Sequence, residues 1–294
     1  MIRSLLIIVL IPLNLILWGI PVMLLGIVKL VLPGGEPRRK LRLLLSELGD
    51  RWAGGNDIIF DRLLDTKWDI SGIDGLRPDG HYLIVSNHAS WLDIFVLQRA
   101  FHRRVAFMRF FIKQHLIWFP ILGQACWAMD FPFMRRYTPE YLERHPEKRG
   151  KDLETTRRTC RRYRRIPMAI LNFIEGTRFT RAKQVEEKSP YRNLLRPRVG
   201  GIAFVLASLG EQLDGVVDVT ISYPRPDVTF WEFITNRVGR VVVRARLIEV
   251  PAQFVTEPIT EPGPAREAFK IWIESLWREK DELLDQLAQS SAPG

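Results

Sequence analysis

Apolar and polar positions along this chain change period several times, and each change predicts an element. Leu5 to Val28 contains no charged residue, a run long enough to cross a hydrocarbon core of about 30 Å as a helix. It is too long for a removable signal peptide and lacks the small-residue cleavage site of one. Pro12, Gly19 and Pro21 interrupt it, so a bent span and a shallow re-entrant helix pair both remain open. From Leu41 to Leu64 the apolar residues recur at helical spacing, and Ile70 to Pro78, with Gly72 and Gly75, reads as a turn-rich connector. Tyr82 to Val85 is an apolar run, followed by polar Ser86 to Asp93 and then Ile94-Phe95-Val96-Leu97. That order predicts strand, loop and helix start.

Pro167 to Ile174 predicts a second buried strand, which delivers Glu175-Gly176-Thr177-Arg178 at its carboxyl end. Pro197 to Gly201 opens a helix through Ala203, Val205, Leu206 and Leu209, and Val216 to Pro224 predicts a third core strand. Val238 to Val250 alternates valines with arginines, the pattern of a half-exposed strand. From Pro264 an amphipathic helix carries Phe269, Trp272, Ile273, Leu276, Trp277, Leu283, Leu284 and Leu287 as a core-facing stripe, and Ser290 to Gly294 reads as a frayed tail. The fold expected is α/β: a mixed central sheet flanked by helices, bearing both polar loops on one edge. An amino-terminal transmembrane or re-entrant anchor, residues 1–35, precedes a body over 36–294.

With 47% hydrophobic residues over 294 positions, the chain can bury a substantial core. Cys126 and Cys160 form no CxxC pair, so neither a disulfide framework nor a zinc site is predicted, and a reducing compartment fits. The net charge of +10 calls for an acidic partner: anionic lipid, nucleic acid or a phosphorylated substrate. Arg38, Arg39, Lys40 and Arg42 follow the apolar run while Arg3 alone precedes it, an imbalance that puts the body on the cytoplasmic side. The basic stretch Tyr141 to Arg165, with Arg157, Arg158, Arg161, Arg162, Arg164 and Arg165, fits a solvated face, a contact with anionic headgroups or one with an acidic carrier protein. Nucleic acid is disfavoured because no nucleic-acid-binding signature accompanies the charge.

His88 and Asp93 carry the candidate chemistry. A carboxylate five residues after an imidazole, across a loop that turns into a helix, can return to bond it, setting the tautomer and freeing the other ring nitrogen to take a proton from a hydroxyl. No GxSxG elbow offers a covalent nucleophile.

Asn87-His88 with Asp93, followed by Phe173-Ile174-Glu175-Gly176-Thr177-Arg178, resembles the glycerolipid acyltransferase family typified by lysophosphatidate acyltransferase, PlsC, whose members carry NHxxxxD and FxEGTR in that order. Cys126-Trp127-Ala128-Met129-Asp130 and Asn172-Phe173 extend the likeness toward the bacterial branch containing the protein called YihG. The resemblance implies acyl transfer from acyl-CoA or acyl carrier protein, as co-substrate and not resident cofactor, to a lysophospholipid hydroxyl, with lysophosphatidate the foremost acceptor. It implies no metal and no nucleic acid, and it implies an anionic membrane surface, the bacterial inner membrane, with the catalytic body facing the cytoplasm.

Carried over by motif, His88 and Asp93 are catalytic, and Asn87, Glu175, Gly176, Thr177 and Arg178 bind substrate. The family also places a phosphate-holding arginine after a Pro-x-x-Gly such as Pro120 to Gly123; here Arg135 and Arg136 are the candidates, and Phe133-Met134-Arg135-Arg136 departs from the family's Ile-Asp-Arg form, so the choice stays open. Arg198 is a further candidate for an anion at a helix start. The family's fourth motif lacks its valine-proline form near Tyr223-Pro224, which points that segment to packing against substrate and not to chemistry. The rival class is a noncatalytic, membrane-tethered lipid-binding protein.

Overall fold

The apolar run forms one continuous helix, α1 (Ile2–Val31), with Pro12 and Pro21 inside it, in the computed structural model, which describes residues 2–134, 139–145 and 166–290. Its buried positions Ile7, Asn14, Gly19, Val22, Gly26 and Lys29 recur every three to seven residues and share one face. That face packs on the antiparallel helix α2 (Glu36–Leu63). The two are joined by Asn14, whose Nδ2 donates to Trp52 O at 2.8 Å and to Asn56 Oδ1 at 2.9 Å. The opposite face of α1 is apolar and open to solvent: Leu13 is 52% exposed, Leu17 62% and Leu24 54%.

Strand β1 (Lys67–Ser71) follows, and its last two residues, Ile70 and Ser71, fall in the stretch expected to be a connector. Five residues at a sheet edge give too short a period-two signal to separate from a turn. Next come β2 (His81–Ser86), α3 (Asp93–Phe101), β3 (Met108–Phe110) and β4 (Ile112–Lys113). After them, α4 (Leu122–Ala128) and β5 (Phe133–Met134) lead to β6 (Met168–Phe173), β7 (Gly215–Ser222) and β8 (Arg240–Ile248). Six strands make one sheet in the order β1-β8-β7-β2-β6-β3, and β4 pairs with β5 apart from it. Only β7 with β8 is antiparallel in the large sheet, so the sheet is mixed, as expected.

Both faces of the central strands are covered, which is why they read as unbroken apolar runs. Tyr82 and Ile84 point into a core with Leu92, Val96 and Phe60. Leu83 and Val85 point the other way, against the helix Gly200–Leu209 and the long helix Pro264–Ser290. A third core joins α1, α2 and α4 through Val22, Leu45 and Ala125. In β8, exposed Arg240 is followed by Val241, Val242 and Val243, all buried, and then by a partly open second half, so the run of three buried valines breaks the expected half-exposed alternation. Because β2, β6 and β7 are neighbours and parallel, all three end at the same edge of the sheet.

Candidate active site

That shared edge collects the polar loops. His88 Nδ1 lies 2.8 Å from Asp93 Oδ2, and because a carboxylate accepts, the Nδ1–H donates, leaving Nε2 as the other ring nitrogen. Asp93 is the first residue of α3 and is fully buried. Its Oδ2 also accepts from Ala89 N at 2.7 Å and Ser90 N at 2.9 Å, so the loop wraps around the carboxylate. The His88 ring stacks on Phe173, centroids 4.0 Å apart and planes 16° from parallel. Neighbouring register of Ser86 with Phe173 across β2 and β6 brings that ring beneath the imidazole.

A third group completes the dyad. The Tyr223 hydroxyl donates to Asp93 Oδ1 at 2.6 Å. Burial, and then the neighbouring Asp93 carboxylate, push its pKa well above the ordinary tyrosine value, so it remains a donor. The sequence reading placed this segment against substrate. The signal it held was a hydroxyl-bearing residue just beyond the end of a third parallel strand.

Glu175 is buried, and both its oxygens are taken by main-chain donors: His88 N to Oε1 at 2.9 Å and Leu195 N to Oε2 at 3.0 Å. Burial raises its pKa to about 8 against the pull of those two donors. Asn87 is likewise turned inward, pairing through Nδ2 and Oδ1 with Ile221 O and N, each at 2.9 Å, as an extra rung between β2 and β7. Gly176 holds a left-handed φ of +69°, and a β-carbon there would sit 3.0 Å from Arg198 Cδ. Arg198 itself pairs with Glu187 at 3.1 Å.

The Arg178 guanidinium stands 4.5 Å from the centre of the Trp91 ring, and Lys183 Nζ donates to Thr177 Oγ1 at 2.6 Å and Arg178 O at 3.0 Å. Neither Trp91 nor Lys183 was singled out from the sequence, since an exposed tryptophan and a helix lysine carry no local mark of a site. His88, Gly176, Thr177 and Arg178 face a cleft of about 940 Å³ whose other walls include Phe110, Lys113 and Leu116. Arg135, Arg136 and the arginines from Arg157 to Arg165 lie outside the described residues.

The family described as Acyltransferase matches residues 67–224, more than half of the 294-residue chain. The chain belongs to the acyltransferase family. Lysocardiolipin acyltransferase 1 of Danio rerio is 27% identical over 245 residues, covering 79% of this chain and 58% of its own length. The 1-acyl-sn-glycerol-3-phosphate acyltransferase 2 of Brassica napus is 26% identical over 231 residues, covering 73% and 54%. The chain thus spans little more than half the length of these curated relatives. The crystal structure of the 1-acyl-sn-glycerophosphate acyltransferase PlsC from Thermotoga maritima matches with a TM-score of 0.56 at 16% identity, over 97% of this chain and 95% of that one. That likeness establishes the shared fold of this acyltransferase, including the long apolar helix that precedes the sheet.

Proposed function

We propose that this acyltransferase moves a fatty acyl group from an acyl-CoA or acyl-carrier-protein thioester to the free hydroxyl of lysophosphatidate, giving phosphatidate. The observation that carries this reading is the His88–Asp93 pair on a cleft with both apolar walls and cations. His88 Nε2 takes the hydroxyl proton, the alkoxide oxygen adds to the thioester carbonyl, and the tetrahedral intermediate expels the thiolate. The imidazolium then returns the proton to the departing sulfur. No covalent enzyme intermediate is needed, because a thioester is already activated.

Arg178, presented over Trp91, and Lys113 are the cations we assign to the acceptor phosphate, since a planar guanidinium fits phosphate oxygens in pairs. Glu175 and Asn87 serve as positioning residues: one holds the His88 main chain, the other holds the end of β2. Arg135 or Arg136 stays a candidate for the same phosphate on motif grounds. The names of the relatives offer a second acceptor, lysocardiolipin, which shares the free hydroxyl and the neighbouring phosphate. The likeness to the YihG branch rests on the Cys126 to Asp130 run and on Asn172-Phe173 alone.

We further infer that residues 1–35 are the membrane-binding part of the chain and 36–294 the acyltransferase body, set on the cytoplasmic face of a bacterial inner membrane. One face of α1 is docked along its length, and its partner α2 carries exposed charges such as Arg51 with Glu47. A crossing α1 would drag those charges into hydrocarbon, where each is costly. The helix pair therefore lies along the membrane with the open face of α1 in one leaflet.

The test is mass spectrometry of the products when the purified full chain is offered acyl-CoA or acyl carrier protein with lysophosphatidate, lysocardiolipin and other lysolipids. Phosphatidate is expected, with transfer falling about 10²–10⁴-fold in His88→Ala. No product from any pair would leave a lipid-binding protein, and full transfer by a folded His88→Ala chain would remove the mechanism.

A further inference from the structure

Between the cleft wall and α4 the chain runs out to an aromatic tip. Lys113, Gln114, His115 and Leu116 border the cleft, and the short helix Gln114–Trp118 then ends in Trp118, 83% exposed, and Phe119, 54% exposed. Two large aromatic side chains side by side in water are unfavourable unless something covers them.

The turn that carries them is held in an uncommon backbone. Ile121 has φ of +64° and ψ of −58°, the centre of a γ-turn closed by Leu122 N donating to Pro120 O at 2.7 Å, a rare and strained backbone for a β-branched residue. Its side chain rests on the bare backbone of Gly19 in α1, where a β-carbon would approach Ile121 Cγ2 to 2.5 Å. Its carbonyl caps the start of α4 by accepting from Ala125 N at 2.8 Å. Clamped between α1 and α4, Ile121 fixes the direction of the residues just before it. Gly19, on which Ile121 rests, is flanked along α1 by the exposed apolar residues Ile16, Leu17 and Ile20.

We propose that Trp118 and Phe119 are a second membrane contact, seated in the headgroup boundary of a phospholipid bilayer beside α1, so that the cleft opens at the lipid surface. This rests on the reading of α1 as lying along the membrane. Three observations select a bilayer as the occupant. The turn that carries the tip is seated on α1 at Gly19, whose neighbours Ile16, Leu17 and Ile20 are apolar and exposed. Tryptophan combines an apolar ring with a donor N–H, the pairing enriched at membrane–water boundaries. Exposed Lys113 and His115 border the cleft three to six residues before the tip and offer partners for lipid phosphates. A lysolipid then reaches His88 by sliding from the leaflet, its acyl chain never crossing water.

The experiment uses the full chain with vesicles of phosphatidylcholine and phosphatidylglycerol in equal parts. The parent should float with them, and brominated acyl chains should quench more fluorescence in the parent than in Trp118→Phe, the difference being the tip. Trp118→Ala with Phe119→Ala should lower the rate on vesicle-borne long-chain acceptor roughly tenfold while leaving a short-chain acceptor, dispersed as monomers, within about twofold. Trp118→Phe should restore most of the vesicle rate. Failure of the parent to float would overturn the α1 reading and the tip with it. Flotation with no difference in quenching would overturn the tip alone, and so would an equal fall on both acceptors. A loss confined to carrier-protein donors would make the tip a protein-docking surface instead. If no acceptor is acylated, flotation and quenching still decide the proposal.

Discussion

At the scale of single residues, the Asp93 carboxylate is where the site is tuned. His88, two main-chain N–H groups and the Tyr223 hydroxyl all converge on it, so it can neither rotate nor release the imidazole without losing several bonds. The Tyr223 hydroxyl bonds Asp93 and not His88, so its expected effect is exerted through Asp93. Tyr223→Phe should lower kcat about tenfold, as expected for one hydrogen bond to a charged group, with KM for donor and acceptor unchanged. Steady-state kinetics on both substrates checks this split; a change in KM would make Tyr223 a substrate contact after all. Glu175 gives a pH signature. Its folded pKa of about 8 exceeds the ordinary glutamate value of 4.5, so the folded state holds a proton that the unfolded chain releases. Stability should therefore fall as pH rises from about 4.5 to 8, by up to about 1.4 kcal/mol per unit. Asp50, raised to about 6 by burial, adds the same sign at the lower end. Denaturant unfolding of parent and Glu175→Gln across this range should show a flatter curve for the variant, which cannot titrate there.

The α1–α2 hairpin is the element whose role changes most once it is seen folded. As sequence, Leu5 to Val28 is a detachable anchor; as structure, it supplies Ile7 and Val22 to two cores and sets Lys29 against Asp130 at 3.2 Å. Deleting residues 1–35 should destabilise the body by several kcal/mol, since each of those apolar side chains contributes about 1.5–3 kcal/mol on burial. Replacing Leu13, Leu17 and Leu24 by serine removes only exposed surface. That triple variant should move to the soluble fraction while keeping its thermal midpoint, whereas the deletion should lower the midpoint. Sedimentation after a high-salt wash, paired with thermal unfolding, separates the two effects. The hydrophobic run was legible because eighteen or more uncharged residues announce themselves; the seam was not, because Asn14, Gly19 and Gly26 become a packing face only when α2 and α4 arrive.

Across the whole molecule, the long closing helix Pro264–Ser290 reaches the site through a relay of bonds. Lys280, buried, pairs with Asp218 of β7 at 2.7 Å, while Arg246 of β8 takes the other Asp218 oxygen at 3.1 Å. On the same helix, Trp277 donates to Leu195 O at 2.9 Å, and Asp281 accepts from Arg192 N and Asn193 N, each at 2.8 Å. Leu195 in turn holds Glu175, which holds His88. Lys280→Met should cost about 3–5 kcal/mol in denaturant unfolding, because Asp218 stays buried with one partner fewer. Asp218→Asn in the same background should recover part of the loss by removing the stranded charge.

What the sequence determined by itself was local. The period of the apolar runs placed β2, β6 and β7, and the five-residue step from His88 to Asp93 formed its pair within a single strand–loop–helix. Both follow from backbone geometry over a few residues. Tertiary structure alone decided that Tyr223, 130 residues from Asp93, would bond it, that Asn87 would pair with Ile221, and that Glu175 would turn from the cleft to hold two main-chain groups. Those outcomes depend on which strands become neighbours. Parallel strands are joined by long crossovers that leave the order of the sheet open, and only the assembled order β7-β2-β6 brings three distant strand ends to one edge.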